Sequence, residues 1–126
     1  MQDHRRLHVY QAARRLVREV YQVACLLGPD ERFTLGKQLR RAALSVGSNI
    51  AEGCGRLSAR DFAHFLDIAL GSTRELEFQL LVCLDIGIAD AAVSPALRTN
   101  HRVQLMLARL ITSVRDRARP PRSPHA

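Results

Sequence analysis

Leu39-Arg40-Arg41-Ala42-Ala43-Leu44-Ser45-Val46-Gly47-Ser48-Asn49-Ile50-Ala51-Glu52-Gly53 sets small residues around a single apolar line. Led in by Leu35, that line reads Leu35, Leu39, Ala42, Ala43, Val46 and Ile50. Its steps are mostly of three and four residues, which bring side chains to one face of an α-helix. Ala42, Ala43, Ser45, Gly47, Ser48 and Ala51 keep the helix thin on several sides. Gly47 costs a helix interior up to about 1 kcal/mol against Ala, so a close approach to the backbone is expected there. Arg40 and Arg41 border the line near its start, Asn49 and Glu52 near its end. This is the pattern of a central bundle helix that touches more than one neighbour.

Three further helices are predicted around it. Val9, Ala12, Ala13, Leu16, Val17, Val20, Tyr21, Ala24 and Leu27 predict an amphipathic helix over 7–27, with Arg14, Arg15 and Arg18 on the opposite side. Gly28-Pro29 ends it, residues 30–33 form the turn, and Thr34 is the expected N-cap of the central helix, which stops at Gly53-Cys54-Gly55. Ser58, followed three residues on by Asp61, opens a helix carrying Phe62, Phe65, Leu66, Ala69, Leu70, Thr73, Leu76, Leu80, Cys83 and Leu84 inward, and Gly87 stops it. A loop through Ala89–Ala92 then leads to Ser94-Pro95, read as N-cap and first-turn proline. The last helix carries Leu97, Val103, Leu107, Leu110, Ile111 and Val114 inward and Arg98, Arg102 and Arg109 outward, with Leu105 among them. Short connections predict an all-α, antiparallel up-down-up-down four-helix bundle over 1–117, followed by a disordered basic tail over 118–126.

Composition agrees. The 126 residues hold 47% apolar side chains but only 5% aromatics, and helix-on-helix packing suits that balance better than a sheet. No apolar run reaches the roughly 18 residues of a membrane span, and no signal-peptide core follows the N-terminus. Cys25, Cys54 and Cys83 lie far apart without a C-x-x-C pair, as expected for reduced thiols in a cytoplasmic protein. A reactive Cys54, between two glycines, is the less favoured reading. The net charge of +7 is uneven: +5 over 1–57, −4 over 58–90 and +6 over 91–126. Basic surfaces of this kind most often meet nucleic acid.

Catalytic chemistry finds little to work with. A di-metal carboxylate bundle needs E-x-x-H pairs, and none exists; Glu75 and Glu77 are two apart and point differently. His64 and Asp67 could align an imidazole, but no nucleophile accompanies them. Gly53-Cys54-Gly55-Arg56 lacks the spacing and the G-K-[ST] ending of a phosphate loop. No catalytic residue, metal ligand or cofactor is assigned. Asn49, Glu52, Glu75 and Glu77, with Ser72, are read instead as a structural polar network that Arg40, Arg41 or Arg74 would satisfy.

Gln38-Leu39-Arg40-Arg41-Ala42-Ala43, then Ser45-Val46, then Ser48-Asn49-Ile50-Ala51-Glu52-Gly53, resemble the signature of the four helix bundle protein family. That family includes proteins encoded in intervening sequences of bacterial 23S ribosomal RNA genes and the accessory variability determinant of diversity-generating retroelements. The resemblance continues through Phe62, Phe65-Leu66, Ala69-Leu70-Gly71-Ser72 and Glu75-Leu76-Glu77, with an echo at Val9-Tyr10-Gln11-Ala12. It departs at Gly47, where proline is common, and at Cys54, where an aromatic is common. It implies a non-catalytic adaptor: a ring-like homo-oligomer, a pentamer in the characterised retroelement members and so expected here, whose basic surface contacts RNA or DNA; those members also bind a reverse transcriptase. Arg14, Arg15, Arg18, Lys37, Arg40, Arg41, Arg98, Arg102 and Arg109 are the candidate nucleic-acid contacts. No aromatic lies among them, so phosphate contact rather than base stacking is expected. The alternatives are a protein–protein scaffold that meets an acidic partner, and a processing factor for a ribosomal RNA insert.

Overall fold

In a computed structural model, residues 4–120 are described. They form α1 (His4–Ala24), α2 (Pro29–Phe33), α3 (Leu35–Cys54), α4 (Ala59–Asp85) and α5 (Asp90–Ala118), with no strand among them. None of these helices is long and apolar enough to cross a membrane. Of the expected tail, Ala118 closes α5, and residues 121–126 lie outside the described residues.

The packing runs around a ring, α1 on α3, α3 on α4, α4 on α5 and α5 back on α1. Contact pairs give the directions. Gly47 neighbours Ala13 while Gly36 neighbours Leu27, and Ser45 bonds Ser72 while Gly53 meets Phe62. Asn100 bonds Thr73 while Arg115 meets Asp67, and Arg6 shares a cavity with Val114 while Arg15 shares one with Pro95. In each pair one residue number rises as the other falls, so neighbouring helices are antiparallel. The core between them holds most of the predicted lines: Val9, Leu16, Val20, Leu39, Val46, Ile50, Leu66, Leu76, Leu80, Val103 and Leu107 are all fully buried, whereas Tyr21, expected on the inward line of the first helix, is 38% exposed. Each such side chain withdrawn from water contributes about 1.5–3 kcal/mol.

Helix ends follow their local chemistry, with three departures from expectation. Ser58 caps α4 as read, its Oγ accepting from the Asp61 amide at 3.1 Å. Gly87 adopts φ +98°, and a Schellman pair closes α4: the amides of Ile88 and Gly87 each donate at 3.0 Å, to the Cys83 and Leu84 carbonyls. The expected turn after Pro29 is instead the short helix α2, because Pro29 at its first position and Asp30 and Glu31 in its first turn favour one. Thr34 does not cap α3 with its side chain; its hydroxyl turns back to the Asp30 and Glu31 carbonyls at 3.4 and 3.5 Å. The last helix begins at Asp90 rather than after Ser94, and Pro95 lies inside it. Continuing the helix backwards buries Val93 completely, and that gain outweighs the single bond a proline removes near a helix start.

Gly47 is also reassigned. Its nearest neighbour would sit 3.9 Å from an added Cβ, which is ordinary contact. The close approach occurs at Gly53, where a Cβ would lie 2.9 Å from Phe62 Cδ1 and 3.0 Å from Phe65 Cβ. The small residues of α3 therefore matter most at its C-terminal end, where α4 folds back on it.

Candidate nucleic-acid interface

The nine basic residues singled out in the sequence fall on three separate parts of the surface. Arg15 on α1 meets Arg98 and Arg102 on α5, and together with Glu19, Pro95 and Thr99 they line a small polar cavity of about 100 Å³. Arg98, Arg102 and Arg109 follow one another at steps of four and seven, so all three lie on one side of α5 and continue this cluster along the helix. Glu19 holds Arg15 at 3.6 Å, its side chain only 15% exposed, and its Oε1 is buried without a hydrogen-bond partner. Arg98, Arg102 and Arg109 have no ion-pair partner among the described residues. Three of four guanidinium groups are thus exposed and uncompensated along one seam.

Arg14 and Arg18 lie elsewhere. They rim a groove of about 470 Å³ between α1 and α3, floored by Tyr10, Ala13, Val17, Leu44, Gly47, Ser48 and Ala51. Lys37, Arg40 and Arg41 stand in the first two turns of α3, next to the short helix α2, which itself carries Asp30 and Glu31.

The expected polar network does not form as one unit. Asn49 donates to the Ser45 carbonyl at 2.8 Å and to its Oγ at 3.1 Å, and the Ser45 and Ser72 hydroxyls share a bond of 2.8 Å across the α3–α4 contact. Glu52, Glu75 and Glu77 are exposed; Glu52 pairs with Arg56 and Glu75 accepts from Gln79 at 3.2 Å. A buried polar link that the sequence reading passed over joins α4 to α5, where Asn100 Nδ2 donates to the Thr73 carbonyl at 2.9 Å. Its position inside an apolar stripe, three residues before Val103, was the available signal.

A second basic cluster is assembled only by the fold. Arg6, Arg56 and Arg117 line a cavity of about 160 Å³ with Leu57 and Phe62, at the end of the bundle where α1 and α4 start and α3 and α5 finish. Arg6 stacks 4.3 Å over the Phe62 ring and Arg56 4.7 Å over Phe65, so aromatics do accompany arginines here. These residues are scattered over the sequence at helix termini, and antiparallel packing brings them to one end. Beside them Asp67 pairs with Arg115 rather than aligning His64, which sits edge-on to Phe65 at 5.5 Å. Desolvation pushes the Cys54 thiol above its ordinary pKa, with Arg6 pulling the other way.

The chain shares its fold with a crystal structure of a protein described as of unknown function, from the S23 ribosomal protein family of Bacteroides thetaiotaomicron. The TM-score is 0.77 at 24% identity, over 86% of this chain and 98% of that one. No curated protein matches the sequence. A family model described as 23S rRNA-intervening sequence protein matches residues 5–109, from the start of α1 to Arg109 on α5. With that match over most of the chain, and the α3 signature at the centre of the bundle, the protein belongs to the 23S rRNA-intervening sequence protein family.

Proposed function

We propose that this protein is a non-catalytic nucleic-acid-binding adaptor that works as a homo-oligomer and grips the phosphate backbone along the α1–α5 seam. The convergence of Arg15, Arg98 and Arg102, continued by Arg109, carries this reading. Guanidinium groups offer planar donor forks to phosphate oxygens, and these are spaced along one face without carboxylates to neutralise most of them. Thr99 adds little, being almost buried, and no aromatic lies on the seam to stack bases. Phosphate contacts carry little sequence information, so binding is weakly selective. The family description, which names an intervening sequence of 23S rRNA, is in keeping with an RNA ligand. A reverse-transcriptase partner has only the sequence resemblance behind it.

The test is binding of nuclease-treated protein to a fluorescent single-stranded RNA across a salt series. Log K falls by about 0.7–0.9 per decade of salt for each phosphate neutralised. Changing Arg15, Arg98 and Arg102 together to Gln is expected to weaken binding and to flatten that slope by about this amount per lost contact. Absence of binding at low salt, or an unchanged slope in the triple variant, overturns the proposal.

A further inference from the structure

The outer face of α4 carries a line that the core does not use. His64, Ile68, Gly71, Glu75, Phe78 and Val82 follow one another at steps of four and three, the spacing of a helix that packs along a left-handed seam with others. Phe78 is 69% exposed and Ile68 40%, and nothing lies within 4 Å of where a Gly71 side chain would begin. A monomer leaves Phe78 and Ile68 of this ridge in water.

The α1–α3 groove repeats the same spacing in concave form. Tyr10, Arg14 and Val17 step by four and three on α1, and Leu44, Ser48 and Ala51 do so on α3. Small side chains at Gly47, Ser48 and Ala51 lie between them, so a ridge laid along the groove meets little bulk there. Charge distinguishes the two surfaces. Helix α4 carries five carboxylates against two arginines, whereas α1 and α3 together carry eight cations against two carboxylates. Glu75 lies in the ridge itself, and Arg14 and Arg18 rim the groove.

We infer that the occupant of the groove is α4 of a second copy of this chain, with Phe78 and Ile68 between α1 and α3 and Glu75 facing Arg14 and Arg18. One chain presents both halves, so self-association covers ridge and groove at once, while a foreign helix in the groove would leave the ridge exposed. The ridge lies on the outer face of α4 and the groove between α1 and α3, so a copy that offers its ridge to one neighbour can take the ridge of another; such a head-to-tail contact repeats from copy to copy as a closed ring or an open filament. The inference rests on the homo-oligomer proposed above and specifies the faces that form it. It also takes Arg14 and Arg18 out of the set that faces nucleic acid and leaves the α1–α5 seam free.

The test is solution mass by light scattering at micromolar concentration, with helix content checked by circular dichroism. The parent is expected well above the chain mass of 14.1 kDa. Phe78→Lys, at an exposed position, is expected to keep its helix content and fall to the chain mass. Glu75→Arg alone, and Arg14→Glu with Arg18→Glu, are each expected to weaken assembly at least tenfold; all three changes in one chain restore it. A monomeric parent overturns both the oligomer and these faces. An assembled parent unaffected by Phe78→Lys, or a triple variant that fails to reassemble, overturns the faces alone.

Discussion

Gly47 and Gly53 lie on the same helix, α3, yet behave oppositely, and the reason is what stands across from each. At Gly53 the opposing atoms are Phe62 Cδ1 and Phe65 Cβ, the latter tied directly to the α4 backbone. A methyl group there forces α3 and α4 apart, so Gly53→Ala is expected to lose about 1–3 kcal/mol in urea unfolding. At Gly47 the nearest atom is Ala13 Cβ at 3.9 Å, so Gly47→Ala meets no clash. It is expected to gain up to about 1 kcal/mol from helix propensity alone. Equal losses at both positions would show that the α3–α4 approach at Gly53 is not the tighter one.

Among the elements, α4 has the best-defined ends and α5 the least expected start. Ser58→Ala removes the acceptor for the Asp61 amide and is expected to cost about 1 kcal/mol, read as a lower melting temperature. The α4–α5 contact is pinned by Asn100, buried to 1% exposure and bonded to the Thr73 carbonyl. Asn100→Ala deletes that bond and opens a small void, with an expected loss of about 1–3 kcal/mol by chemical denaturation. A parent-like midpoint for this variant would mean that the link fixes register without adding stability.

The whole molecule separates two jobs by face. If the α1–α5 seam holds nucleic acid and the α4 ridge holds the next copy, the two kinds of variant should fail differently. Arg15, Arg98 and Arg102 changed together to Gln are expected to weaken RNA binding while leaving solution mass unchanged. Phe78→Lys is expected to lower the mass and weaken RNA binding too, because linked copies bind one strand with an avidity that single copies lack. Its salt slope per subunit should stay that of the parent, since the seam arginines are untouched. A mass change in the arginine variant would put the seam inside the assembly contact.

The sequence by itself determined the helices and their buried faces, because a period of 3.6 residues is a local property written in Leu39, Ala43, Val46, Ile50 and their counterparts. It also determined the caps at Ser58 and Gly87, where the chemistry lies within a few residues. It misread Thr34 and Ser94-Pro95, since local capping signals there lose to the burial of Val93 and to the short helix α2. Only the tertiary structure decided which arginines stand together. Arg15 and Arg98 are distant in the chain, as are Arg6, Arg56 and Arg117, and their meeting depends on which helix faces turn toward each other. The same holds for Gly53 and for the pairing of Asn100 with Thr73. Periodicity states that a face is buried, but the partner across it is set by packing against the rest of the molecule.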